Sequence, residues 1–264
     1  MPSLRRRSVV GLLVLACAVV GACDSALSVS DQPVVGAVSL RSVPNAARGA
    51  VVGGDAFFLS GSSLSVPDPS LVPDSCVLQA VDTSVTFNRG NTAAGNAIGL
   101  RVGSADGSMP LSSSESRYLI APGTRLDYQF GDSVRITVPG QAGGFPAAST
   151  FAPLAEPFTL AAFTPPAVGQ PAAFRWSPAG TTQSAIVLTV RFRPAMTGQT
   201  GRQALCSLRD DGVFDMPARI YDGLRDTGVL DRLTAVRFRT RAVEVSRRAT
   251  LYVLSSFEVN VPPR

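Results

Sequence analysis

Along much of this chain apolar and polar residues alternate with a period of two, the spacing of a strand packed on one face and wet on the other. The clearest pair lies at 126–130 and 134–138. Leu126, Tyr128 and Phe130 alternate with Asp127 and Gln129, and Val134, Ile136 and Val138 with Arg135 and Thr137. Gly131-Asp132-Ser133 between them predicts a hairpin. Further strands are predicted at 34–40, 50–59, 76–78, 97–102, 118–121, 158–163, 173–176, 185–192, 204–208, 213–214, 251–254 and 257–261. Gly53-Gly54 interrupts one of these and predicts a bulge. The Ser/Pro/Asp stretch at 60–75 reads as a surface loop.

Two segments depart from simple alternation. In 234–245 the apolar residues begin on even positions (Val236, Phe238) and end on odd ones (Val243, Val245). That phase slip predicts a bulge or turn near Arg241. At 217–224 the period becomes helical: Pro217 suits a first turn, Ile220 and Leu224 are four apart, and Asp215 or Met216 would cap the start. Short strands, joined by segments rich in the chain's 24 Gly and 20 Pro, predict a mainly β protein of one or two tandem β-sandwich domains, with at most one or two short helices.

The beginning of the chain follows another pattern. Arg5-Arg6-Arg7 precedes an apolar or small run at 8–22, which is too short for the ~20 residues of a spanning helix. The run closes on Val20-Gly21-Ala22-Cys23. These 23 residues resemble the signal of bacterial lipoproteins. The resemblance implies cleavage before Cys23, a diacylglycerol on its sulfur and a fatty acyl chain such as palmitate on its new amine. Cys17 also follows an Ala but would leave a stunted apolar run. Each buried methylene of such chains contributes ~0.8 kcal/mol, so several chains make a stable anchor. The expected address is exported and lipid-anchored to a bacterial membrane, on the periplasmic or cell-surface side.

A weaker resemblance covers 172–261. The order Phe-Arg-Trp-Ser-Pro at 174–178, a long apolar strand, Cys206 and Asp-Asp-Gly-Val-Phe-Asp-Met-Pro at 210–217 is similar to a module of uncharacterised bacterial envelope lipoproteins. It implies an immunoglobulin-like sandwich with a Trp strand across its core, and no activity. The expected organisation is therefore a signal peptide at 1–22, a lipidated tether at 23–46, a first β region at 47–163 and a second, sandwich-like one at 164–264. Thr164-Pro165-Pro166 marks the last boundary, because consecutive prolines cannot donate to a ladder.

Composition narrows the chemistry. The chain has no His, and all 24 of its basic residues are Arg. Ser-His-Asp and Cys-His sites, His-ligated metals, Schiff bases and P-loop lysines are excluded. Gly-rich stretches at 90–95 and 140–144 lack the strand-to-helix context of a phosphate binder and read as turns. The net charge of +5 includes Arg5, Arg6 and Arg7; without them, 21 Arg face 19 acids, a balance of +2. That does not argue for nucleic acid. No cofactor is expected.

Four groups of residues remain as candidates. Cys76 and Cys206 would be either a disulfide or two separate buried thiols. Asp210, Asp211 and Asp215 surround a turn glycine and offer hard oxygens to calcium, without the EF-hand spacing; an ordinary turn is the alternative. Arg237, Arg239 and Arg241 share one parity, as do Arg191 and Arg193, and read as solvated strand faces or as an anion-binding row. Trp176 reads as core. The functional expectation is a membrane-anchored envelope lipoprotein with a non-catalytic β body that binds a protein or glycan or serves a structural role. The alternatives are a carboxylate-dependent glycan hydrolase or lyase and a carbohydrate-binding module.

Overall fold

The computed structural model describes residues 32–46, 48–61, 64, 66, 68–81, 90–180, 183–194 and 200–261. The signal at 1–22 and Cys23 lie outside these residues. Among the described residues the protein is mainly β, with a single α-helix and no helix long and apolar enough to cross a membrane.

The strands are β1 (Val34–Asn45), β2 (Arg48–Ser60), β3 (Ser75–Ala80), β4 (Ala97–Val102), β5 (Ala105–Ser112), β6 (Arg117–Leu119), β7 (Leu126–Tyr128), β8 (Ser133–Val138), β9 (Ala148–Pro153), β10 (Ala172–Arg175), β11 (Ala185–Pro194), β12 (Arg202–Arg209), β13 (Val213–Met216), β14 (Gly228–Ser246) and β15 (Ala249–Val261). Helix α1 (Ala218–Arg225) and a 3-10 turn at Pro69–Leu71 complete the list. Thirteen strands form one ladder in the order β3-β12-β11-β14-β15-β1-β2-β6-β5-β4-β8-β9, with β7 joining at β2. β10 and β13 form a separate two-stranded ribbon. β9 comes back against β14, so the ladder doubles over a core that draws on both halves of the chain, from Leu40, Phe58 and Ile136 to Trp176, Leu188 and Phe192.

Two pairings cross the boundary expected at 163/164. β3 pairs with β12, and β1 lies parallel to β15 along Val34↔Ala249 to Ser42↔Phe257. Pro33–Arg264 is one compact unit. The regions at 47–163 and 164–264 are thus not separate bodies, and the tether expected at 23–46 gives way to strand at Val34. The reason lies in β1, whose Val38, Leu40 and Ser42 are buried between two neighbouring strands. Gly36 of the same strand lacks a side chain where a Cβ would meet the Phe58 ring at 2.6 Å.

Other local expectations fare unevenly. The bulge near Gly53-Gly54 is present, since Arg41 faces Gly53 while Ser42 faces Val51. The helix is present too, capped by Pro217 without a side-chain hydrogen bond, and it buries Tyr221 and Leu224. The hairpin at 131–133 is not. The turn exists, with the Asp132 N–H donating to the Gln129 carbonyl, but β7 pairs with β2 and β8 with β4 and β9. The strand expected at 158–163 is a single bridge, Leu160↔Trp176. β5 and β9 carried little apolar alternation: β5 buries only Met109, and β9 buries Ala152 while Phe151 stays 60% exposed.

β14 needs no break at Arg241. It continues as one strand from Gly228 to Ser246, with register shifts only between Leu230 and Arg232 and between Glu244 and Ser246. Its odd face is buried in succession at Leu233, Ala235 and Arg237, with Phe238 buried on the even side. The apparent phase slip disappears once Arg237 is placed inside.

β3 is the exposed edge of the ladder, and only Cys76 of its residues is half-buried. Cys76 faces Cys206 across the β3–β12 pair, and a disulfide joins them with Cα atoms 4.0 Å apart. The bond closes a separation of 130 residues. The replacement Cys76→Ala is expected to lower stability by about 2–5 kcal/mol in a denaturant titration. Because β3 buries so little else, hydrogen exchange should rise first at 75–80 while β11, β14 and β15 stay protected. Uniform deprotection would contradict this account.

Candidate functional site

β11 begins at Ala185, opposite Phe238, but β14 continues to Ser246 with β15 as its one ladder partner among the described residues. The sheet therefore has a step. The turn at Pro69–Leu71 lies against β14. Asp68 caps this turn, accepting hydrogen bonds from the Ser70 N–H (2.9 Å) and hydroxyl (2.7 Å), and Pro69 fills its first position. Between turn and strand lies a groove of about 730 Å³, lined by Val66, Asp68, Pro69, Ser70, Pro153, Gln183, Thr240, Arg241, Ala242 and Tyr252. Pro69 and Ser70 also border a recess of about 530 Å³ whose wall includes Ser184, Arg209, Asp210 and Asp211.

Asp210 and Arg237, both with side chains 1% exposed, form a two-pronged ion pair behind this recess. The guanidinium donates from Nε to Oδ2 (2.6 Å) and from Nη2 to Oδ1 (2.9 Å). Nη2 also reaches the Ser177 carbonyl (2.5 Å) and Nη1 the Glu156 carbonyl (3.2 Å). The Phe158 ring lies 4.7 Å from the guanidinium carbon. The Trp176 indole N–H donates to Oδ1 of Asp210 (2.9 Å), and the Ser184 hydroxyl to Oδ2 (2.8 Å). A carboxylate has about four acceptor sites, and Asp210 fills them all. Removing such ions from water costs several kcal/mol each, a penalty offset only by a complete partner set like this one.

Further along β14 the pairing thins. Glu156 is buried and accepts from the Gly180 N–H (3.0 Å); its other oxygen lies 3.7 Å from Nη1 of Arg239. Nη2 of Arg239 is 3.5 Å from the Gln183 side-chain oxygen, and its buried Nε has no hydrogen-bond partner among the described residues. Burial pulls the Arg239 pKa below its ordinary value, with the Glu156 charge opposing. Arg241 is exposed at the groove, and its side chain makes no hydrogen bond or ion pair among the described residues. Tyr252 stands on β15 opposite Ala242.

The three aspartates do not converge. Asp210 turns inward to Arg237, Asp211 accepts from the Val213 N–H (3.2 Å), and Asp215 pairs with Arg175 (2.7 Å). No metal-binding group of three carboxylates, Cys or His occurs among the described residues. The calcium reading is corrected because each carboxylate already serves a cation or a backbone donor. The solvated-row reading of the arginines is corrected as well: Arg237 is core, Arg239 is half-buried, and only Arg241 faces water. Arg191 pairs with Asp231 at 3.3 Å. Trp176 is core at 6% exposure. Asp68, Gln183, Glu156 and Tyr252 escaped sequence reasoning. Asp68-Pro69-Ser70 carried a capping signal inside a stretch read only as loop.

Three outcomes are expected. Arg237→Met alone should cost about 3–5 kcal/mol of unfolding free energy by leaving Asp210 buried without its partner. Asp210→Leu combined with Arg237→Met should cost clearly less than the two single changes summed; additive losses would remove the pair from its central place. Arg209 of the recess wall is partnered by Asp74: burial opposes ionisation of Asp74, but Arg209 outweighs it through its side chain (2.7 and 3.1 Å) and backbone N–H (2.9 Å) and holds the carboxyl below its ordinary value of 3.8. A depressed acid stabilises the fold above its unfolded pKa and loses that contribution as pH falls through the folded one. Wild type should therefore be more stable than Asp74→Asn at neutral pH, with the gap closing in acid below 3.8. A gap independent of pH in denaturation series would exclude the linkage.

Compared with protein families, curated proteins and solved structures, the chain matches none of them.

Proposed function

We propose that this chain is a lipoprotein held to a bacterial membrane through Cys23, and that its β body is a non-catalytic module that binds a partner at the cell envelope. One observation carries the non-catalytic reading: the buried acid at the recess next to the groove, Asp210, has every acceptor position occupied by Arg237, Trp176 and Ser184. It has no lone pair left for a substrate proton or an attacking water. A glycan hydrolase also needs a carboxyl held protonated to serve the leaving group. Asp68, on the groove wall, shifts the other way: hydrogen bonds from the Ser70 hydroxyl and N–H place its pKa below the ordinary value. The Cys76–Cys206 bond suits an oxidising compartment, in agreement with the signal at 1–23.

The test is mass spectrometry of the N-terminal peptide of the protein purified from bacterial membranes. A peptide that begins at Cys23 and carries acyl mass is expected, and Cys23→Ala should abolish the acyl mass and leave residues 1–22 attached. An unmodified Cys23, or a Cys23→Ala protein still cleaved before position 23, would refute the anchor.

A further inference from the structure

We propose that the groove beside β14 binds an acidic saccharide, with the sugar carboxylate held by Arg241. The inference deepens the binding role proposed above and rests on it. The volume of about 730 Å³ falls within the range of small-ligand sites. The strands that carry Arg241 and Tyr252 are paired through this region, Arg241 with Val253 and Ala242 with Tyr252, so the wall is rigid before any ligand arrives.

The chemistry of the wall selects the ligand class. Arg241 is an exposed guanidinium with no carboxylate partner among the described residues, and a planar fork of donors matches a carboxylate. Arg239, two residues earlier on the same face, adds positive potential that Glu156 meets only at 3.7 Å. Asp68 contributes a carboxylate to the same groove. It disfavours a doubly charged phosphate and accepts from sugar hydroxyls. Gln183 and Ser70 add an amide and a hydroxyl, and the half-buried Tyr252 ring offers a flat apolar surface to the C–H face of a sugar. No Leu, Ile, Met or Phe lines the groove among the described residues, so pockets of the kind that read large peptide side chains are missing.

The experiment is calorimetric titration of the full chain in detergent with tetramers of galacturonate, glucuronate and mannuronate, their methyl esters, and a neutral galactose tetramer. At least one acidic tetramer should bind. Its methyl ester should bind about tenfold more weakly or worse, as should the Arg241→Gln protein, because a charge-assisted pair is lost. Tyr252→Ala should weaken binding while thermal unfolding stays near wild type. Absence of binding by all three acidic tetramers at millimolar concentration overturns the proposal. So do equal affinities for acid and ester, indifference to Arg241→Gln, or tighter Arg241-dependent binding of an oligoglutamate peptide. The acylation of Cys23 is read separately, so failure of the groove and failure of the anchor are distinguishable.

Discussion

A guanidinium inside a β core sets the terms for much of this molecule. Arg237 needs Asp210 to neutralise it, and the pair then needs acceptors and donors from several distant segments. Those obligations explain the irregular backbone at 154–158, where Leu154, Ala155, Glu156 and Phe158 are buried without belonging to a ladder strand. Buried backbone groups must find partners. Here the Glu156 carbonyl meets Arg237, the Ala155 N–H meets the Ser255 hydroxyl (2.8 Å), and the Ala155 carbonyl meets the Tyr128 hydroxyl (2.7 Å). The side chains of β7, β14 and β15 thus do the work that a neighbouring strand does elsewhere. The apolar residues at 158–163 record the burial of Phe158 and Phe163 and say nothing of how their backbone is paired.

The same residue explains what was legible in the chain. Alternation located most strands, because a half-buried sheet face writes its period directly into the sequence. It failed where the face rule was broken. Arg237 inside the core made β14 look out of phase, and the phase conflict was itself the signal of a buried charge. β5 and β9 were invisible for the opposite reason, since they bury almost nothing by side chain and hold their places by backbone pairing. Strand partners were less legible than strands. Nothing local reveals that β7 turns to β2 instead of β8, or that β1 pairs in parallel with a strand more than two hundred residues away. Cys76 and Cys206 were recognisable as a possible pair, but only the register of β3 on β12 brings them face to face.

The parallel β1–β15 contact and the β3–β12 clasp have a common consequence. Each joins an early strand to a late one: β1 covers the edge of β15 that the late strands β11, β12, β14 and β15 would otherwise leave open, and β3 clasps their far edge at Cys206. That arrangement accounts for a Pro165-Pro166 pair that divides the sequence but not the structure. The prolines only forbid a ladder locally, and the chain crosses there as a loop while the sheet closes elsewhere.

The groove follows from a mismatch of strand lengths. β14 must be long to pair with β15 as far as Ser246, while β11 begins only at Ala185, where Ser184 joins Asp210. The strand therefore passes from a fully satisfied arginine, through one with an unpartnered Nε, to one with no partner among the described residues, at positions 237, 239 and 241. Solvent access rises along the same three positions. At the first, charge holds the fold together and has no capacity to spare. At the third, charge does nothing for the fold, since an exposed and unpaired arginine contributes little to stability. A cation placed beside a preformed groove, and unneeded by the structure that carries it, is available to whatever enters from outside.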